Sequence, residues 1–185
     1  MHLDLASEMT AHNEAVKQIL QLEPDLRKTI QVITDAFNNG GRVFTCGNGG
    51  SAADAQHFAA ELTGRYENDR RGYPAIALTT DTSALTSIGN DYGFEQIFAR
   101  QLQALANSGD VLIAMSTSGH SSNVIRAVAY ARQHQIVTIG LLGRDGGKLA
   151  NMVDIALTIK TQRTPRIQEA HIFLLHLICE AFEEK

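Results

Sequence analysis

Cysteine is scarce in this 185-residue chain, which carries only Cys46 and Cys179. Two thiols make no disulfide framework and too few ligands for a thiolate zinc site, so both read as core residues of a reducing compartment. There is no apolar run approaching the roughly 18 residues that a membrane span requires, and no basic stretch leading into an apolar one at the start. The expectation is therefore a soluble, cytoplasmic protein with no membrane partner. Basic excess is also missing: 16 Lys and Arg against 20 Asp and Glu leave a net charge of −4. Without a cationic footprint, nucleic acid is not an expected partner, and a small molecule or another protein is. No repeat, low-complexity tract or linker divides the chain, so residues 1–185 are expected to form one domain with a core large enough to fold unaided.

What is present centres on Arg42 to Arg65, RVFTCGNGGSAADAQHFAAELTGR. Val43 to Cys46 reads as a buried strand, Gly47-Asn48-Gly49-Gly50 as a tight turn and Ser51 as the N-cap of the helix that follows. Strand, glycine turn and helix N-terminus together offer an anion site. His57 and Glu61 stand four residues apart on that helix, so they share a face and can serve as metal ligands or as an acid-base pair.

Alternation continues along the chain. Helices are expected from about Leu3 to Leu20, from Pro24 to Phe37, from Thr82 to Ile88 stopping near Gly89-Asn90-Asp91, and from about Glu95 to Ala106. Further helices are expected from Asn123 to about Gln133, as a short turn after Gly147, and from about Pro165 to Glu183. Strands are expected at Ala75–Leu78, Val111–Met115, Ile136–Leu141 and Ile155–Ile159. Such alternation means α/β architecture, a parallel sheet covered by helices on both faces, with ligands beyond the carboxyl ends of its strands. Residues 1–39 form a helical extension with no partner in the first α/β unit, which points to packing across the sheet or on a neighbouring subunit.

A second loop, Ser116-Thr117-Ser118-Gly119-His120-Ser121-Ser122, gathers hydroxyls and backbone N–H groups at another helix start. Neutral donors in that number suit a phosphate monoester. Gly47 to Ala52 formally fits G-x-G-x-x-A, but a dinucleotide site needs an acid about 20 residues on, and the nearest, Asp81, lies about 30 on. G-x-x-x-x-G-K-[ST] and H-E-x-x-H are both absent. The last helix carries Gln168, His171 and His176 among apolar residues, where polar groups need partners. Two histidine-bearing helices facing one strand edge can assemble a metal site. Gln168 and His176 are, however, about 12 Å apart along a helix axis. An ion bridged at full stretch, an irregular helix near Gln168, or ligands from two subunits would each answer this.

The segments CGNGGSAADAQHFAAELTGRY, IGNDYGF, STSGHSSNVI, GRDGGKLA and TPRIQEAHIFLLHLICE, in this order and spacing, resemble the phosphoheptose isomerases, the sedoheptulose 7-phosphate isomerases of the sugar-isomerase (SIS) domain superfamily. The resemblance runs from the first helix to the last. It implies an SIS-type sheet with an N-terminal helical extension, and a homotetramer that converts sedoheptulose 7-phosphate into D-glycero-D-manno-heptose 7-phosphate for surface glycans such as lipopolysaccharide. It implies one zinc per subunit on His57, Glu61, Gln168 and His176, with Glu61 and His176 catalytic. Substrate contacts are implied at Asn48, Gly49, Gly50, Ser51, Glu61, Asn90, Asp91, Ser116, Thr117, Ser118, Ser121 and Gln168. The matching prefers His176 over His171, which spacing alone does not separate. Some relatives carry Asn where this chain has His120. A non-catalytic SIS protein, binding the replication initiator or sensing a sugar phosphate, is the alternative, and retention of all four expected ligands favours the enzyme.

Overall fold

The computed structural model describes residues 3–183; the outermost two residues at each end of the expected 1–185 domain lie outside the described residues. Five strands, β1 (Val43–Cys46), β2 (Ala75–Ala77), β3 (Val111–Ser116), β4 (Val137–Gly143) and β5 (Ile155–Ile159), form one sheet in the order β2-β1-β3-β4-β5. Every pairing is parallel. The central strand β3 is buried throughout, as expected of a strand covered on both faces.

Alternate residues feed two cores. Val111, Ile113 and Met115 point into one, with Ile139 and Leu141; Leu112 and Ala114 point into the other, with Phe44 and Leu142. The first face is covered by α1 (Leu5–Lys17), α2 (Glu23–Asn38), α3 (Gly50–Thr63) and α8 (Thr164–Glu180), the second by α5 (Ala99–Leu105) and α6 (Ser122–Gln133). The second core also takes Leu85 and Ile88 of α4 (Thr82–Tyr92) and Leu149 of the one-turn α7 (Gly147–Ala150). From β1 the chain first moves to β2 and then returns past β1 to β3. The crevice between β1 and β3 is therefore the switch point where ligands bind in such sheets.

Local chemistry accounts for most boundaries. Pro24 stands in the first turn of α2 with Glu23 and Asp25, and its end is closed by the Asn39 amide, which donates to the Asp35 carbonyl at 2.7 Å. Three expectations are corrected. Helix α3 is capped by Gly49, not Ser51, because φ = 55° and ψ = −123° at Gly49 turn the chain two residues early and leave Ser51 buried inside the first turn. Helix α4 runs through Gly89, Asn90 and Asp91 to Tyr92 instead of stopping before them, since the break falls at Gly93, with φ = 92°. The expected helix from Glu95 is a 3₁₀ turn (Phe94–Gln96) followed by the shorter α5.

The N-terminal helix has a partner in its own chain. On α8, the His12 Nδ1–H donates to Glu169 at 2.8 Å, Arg163 holds Glu8 with two contacts of 2.8 Å, and Arg166 reaches the Glu8 carbonyl. Leu5 and Met9, on the same helix, remain 65% and 52% exposed. No helix among the described residues is long and apolar enough to cross a membrane.

The β1–β3 junction is stitched by a buried carboxylate: Asp110 accepts the Arg42 N–H at 2.8 Å and the Asn107 N–H at 2.7 Å. Asp110→Ala orphans both donors, and a loss of roughly 2–4 kcal/mol is expected. Urea unfolding checks it, as a lower midpoint at unchanged m-value.

Candidate functional site

The loop after β1 and the loop after β3 meet at the switch point, and a pair of side-chain amides joins them. Asn48 donates to the Asn123 oxygen at 2.9 Å, and Asn123 returns the bond at 2.8 Å. The same Asn123 oxygen accepts the Val124 N–H at 2.9 Å, so the pair also fixes the start of α6. Asn48, an expected substrate contact, also ties its amide to Asn123. Asn123 went unnoticed in the sequence, where its signal was a polar residue on the inner face of a helix start.

Within the second loop the hydroxyls converge. Ser116 Oγ lies 2.9 Å from Ser121 Oγ and 3.5 Å from Ser118 Oγ. Ser116 also accepts the Gly119 N–H at 3.1 Å, and Ser118 that of His120 at 3.2 Å. Thr117 is half-buried in the same turn and His120 is exposed. Behind the loop, the Leu149 N–H of α7 donates to the Gly119 carbonyl at 3.1 Å. Serine hydroxyls at the mouth of α6 form a neutral cradle of the kind that suits an anion, and Gly49 and Gly50 are exposed at the mouth of α3, with Ser51 buried behind them.

Helices α3 and α8 run side by side in the same direction. Near their starts, Gln168 packs directly on Gly50, so closely that a Cβ there would collide with the Gln168 amide. Two turns further, His57 Nε2 lies 3.1 Å from Glu61 Oε1 on one side and 3.1 Å from His176 Nε2 on the other. At most one proton sits between the two ring nitrogens, because two protons would face each other there. The Tyr66 ring borders His176 at 5.6 Å between centroids.

This arrangement separates the candidates. His57, Glu61 and His176 are together; Gln168 stands at the glycine turn. Helix α8 is regular from Thr164 to Glu180, which removes the irregular-helix answer to the 12 Å problem. His171 is a core residue: its Nε2–H donates to the Leu142 carbonyl at 3.0 Å, and burial pulls its pKa down to about 4. Burial pushes the Cys46 and Cys179 thiols up to about 12, so neither is a nucleophile. Asn90 and Asp91 are exposed at the end of α4, bonded to each other at 2.8 Å, away from the histidine pair. Asp81, the acid weighed for a dinucleotide, caps α4 by accepting the Ala84 N–H.

One carboxylate was missed. Asp54 lies on α3 between Gly50 and His57, with Oδ2 buried and without a hydrogen-bond partner among the described residues. Burial raises its pKa, partly offset by His57. Its signal was available: positions 50, 54, 57 and 61 form one helical stripe.

As to a metal, two imidazole nitrogens and a carboxylate oxygen at 3.1 Å spacings have the donor chemistry of a zinc site, whose tetrahedral ligands at about 2.0–2.1 Å stand roughly 3.3 Å apart. The donors fit. They are strung as two successive contacts through His57, and among the described residues no three His, Cys, Asp or Glu side chains enclose a common point.

The family profile of the SIS domain matches residues 8–143. The chain is 52% identical over 182 residues to the phosphoheptose isomerase of Aliarcobacter butzleri, covering 98% of this chain and 96% of that protein. It is 51% identical over 181 residues to that of Helicobacter hepaticus, covering 98% and 92%. The solved phosphoheptose isomerase of Neisseria gonorrhoeae superposes with a TM-score of 0.90 at 46% identity, over 95% of both chains.

The buried His171 makes stability depend on pH. Its folded pKa, about 4, lies below the unfolded value of 6.5, so the unfolded chain binds the proton more readily. Stability is full above pH 6.5 and is lost as pH falls toward 4, by about 2 kcal/mol at pH 5. His171→Gln should lose correspondingly less between pH 7 and pH 5 in urea unfolding. An equal loss in both proteins would refute the assignment.

Proposed function

This chain belongs to the phosphoheptose isomerases of the SIS-domain superfamily, and we propose that it is an isomerase that interconverts sedoheptulose 7-phosphate and D-glycero-D-manno-heptose 7-phosphate through an enediol(ate). The observation that carries this reading is the Glu61, His57 and His176 contact chain, held between two helices beside a hydroxyl-lined anion cradle.

In this reading Ser116, Thr117, Ser118 and Ser121 take the phosphate, with the backbone N–H groups at the start of α6 aimed at its oxygens. Gly49, Gly50 and Ser51 border the sugar from the first loop, and Asn48 holds that loop in place. The seven-carbon chain extends from the cradle along the α3 stripe toward Glu61. Glu61 takes the proton from the carbon beside the carbonyl and returns it to the neighbouring carbon, while His176 exchanges a proton with oxygen. Such acid-base pairs contribute when each is positioned before the reaction, as the packed helices ensure. Asn90 and Asp91 serve sugar hydroxyls.

His57, Glu61, His176 and Gln168 would hold one zinc per subunit. When bound, zinc supplies a Lewis acid that polarises the carbonyl oxygen. With α8 regular, Gln168 joins that set by full side-chain stretch or from a neighbouring subunit. A tight ligand is a poor mobile base, so with zinc bound Glu61 would have to loosen from it to act as the base. The exposed Leu5 and Met9 support assembly as a homotetramer. A cytoplasmic setting and a role supplying heptose for surface glycans such as lipopolysaccharide complete the proposal.

Turnover of sedoheptulose 7-phosphate, measured before and after chelation with metal content on the same sample, tests it. Activity is expected to vanish on chelation and return with zinc, and Glu61→Gln should lower kcat by about 10²- to 10⁴-fold. Near-normal turnover by metal-loaded Glu61→Gln would remove Glu61 as the base; substrate binding without turnover in the native protein would make it a sensor.

A further inference from the structure

Glu61 stands in the last full turn of α3, which ends at Thr63. The final carbonyls of a helix have no partners within it, and a turn left in that state frays. Here those carbonyls are taken up one by one. The Gly64 N–H donates to the Ala60 carbonyl at 2.8 Å, and the Tyr73 N–H to that of Leu62 at 2.8 Å. The Glu61 carbonyl is met by a side chain: Arg70 Nη2 donates to it at 2.9 Å, while Nη1 of the same guanidinium donates to the Leu62 carbonyl at 3.1 Å.

Arg70 is itself held on every side. Its side chain is 1% exposed, and its Nε donates to Glu183 Oε1 at 3.2 Å, a carboxylate only 8% exposed. The Asn68 N–H donates to the other oxygen of Glu183 at 2.6 Å, and the Tyr73 ring lies against the guanidinium, 4.9 Å from centroid to Cζ. A buried arginine fixed by a buried carboxylate is costly to assemble and is lost wholesale when one partner goes. Its fork sets a separate nitrogen on each of two consecutive carbonyls and a third on Glu183, a planar arrangement that the point charge of a lysine ammonium does not reproduce. A cation at this end of α3 also meets the negative pole of the helix.

We propose that Arg70, locked by Glu183, is a positioning residue for the reaction: it pins the backbone of Glu61 so that the carboxylate stays aligned with His57 and His176. The inference rests on Glu61 being the base, as proposed above. His57 lies a full turn deeper in the helix and depends on this clamp far less. Loss of Arg70 therefore misplaces Glu61 relative to an otherwise intact site, and misplacement of about 1 Å is enough to cost on the order of 10²-fold in rate.

A double-mutant cycle on the purified, zinc-loaded protein tests this. Arg70→Met should lower kcat by about 10- to 100-fold while KM stays within about threefold. Arg70→Lys should recover only part of that loss. In a Glu61→Gln background Arg70→Met should cost under about threefold, because the group it positions is gone. A native kcat in folded Arg70→Met overturns the inference, as does an equal loss with and without Glu61. Should Arg70→Met not fold, Glu183→Gln takes its place; it should lower kcat less, about 3- to 10-fold, with the same dependence on Glu61, and an unchanged kcat or an equal loss in both backgrounds again overturns it. A crippled Glu61→Gln beside a native Arg70→Met rejects the clamp alone, whereas a near-normal Glu61→Gln rejects the base and the clamp with it.

Discussion

The site depends on one close contact, the seat of Gln168 on Gly50. Without a side chain at position 50, the start of α3 lies flush against α8, and no larger residue allows that approach. The contact sets the register of two helices that run in the same direction. Seven residues on from Gly50 and eight on from Gln168, the register delivers His57 opposite His176, with 3.1 Å between ring nitrogens. A shift of one residue would rotate either histidine by about 100° around its helix and out of reach. Behind both helices one apolar core, including Phe58, Leu62, Leu174 and Ile178, holds the register as a packing constraint, since interiors packed at crystal-like density do not slide.

The anion cradle is built on a second constraint, the reciprocal amide pair of Asn48 and Asn123. One half lies in the loop after β1 and the other in the first turn of α6, just past the loop after β3, so the pair ties the two connections into one wall. Neutral hydroxyls and N–H groups then provide the donors, which suits a chain whose net charge is −4. Placing the cradle at helix starts supplies positive potential without a buried lysine or arginine. The Asp110 carboxylate works at the opposite end of the same strands, so the β1–β3 junction is closed at both ends.

Much of this was legible in the sequence because it follows from local chemistry. Buried strands read as apolar runs, and both anion loops announced themselves by glycine and serine before a helix. The parallel sheet followed from alternation alone. What could not be read is what depends on three-dimensional partners. Ser51 resembles an N-cap until the backbone of Gly49 takes that role. His171 and His176 share a helix and differ only in which face meets the sheet, a difference of five residues that sends one to the Leu142 carbonyl and the other to His57. Asp54 and Asn123 lie inside recognisable segments and Arg70 just beyond one, yet none shows its role there; each matters through its surroundings in three dimensions, Asn123 and Arg70 through partners distant in sequence and Asp54 through burial. The distance between Gln168 and the histidine pair was legible as a conflict, and the regular helix sharpens that conflict.

In its proposed roles Glu61 has two requirements that oppose each other. As a base it must reach substrate and move a proton, which calls for a side chain free to change its contacts; as part of a shared donor set it must hold its distance to His57. Position 61 reconciles them by dividing the residue. Its side chain remains about a quarter exposed, so rotation costs little packing. Its carbonyl is gripped by a guanidinium that water scarcely reaches. Freedom about the side-chain torsions then exists on a fixed Cα, and the motion needed for proton transfer does not spread into the helix. A base placed mid-helix would be held equally well by the helix's own hydrogen bonds, but on α3 that stretch packs Phe58 and Ala59 into the core. The final turn lies at the end of α3 away from the crevice, where the helix is intrinsically weakest, so in the role proposed for Glu61 an external clamp has the most to stabilise there.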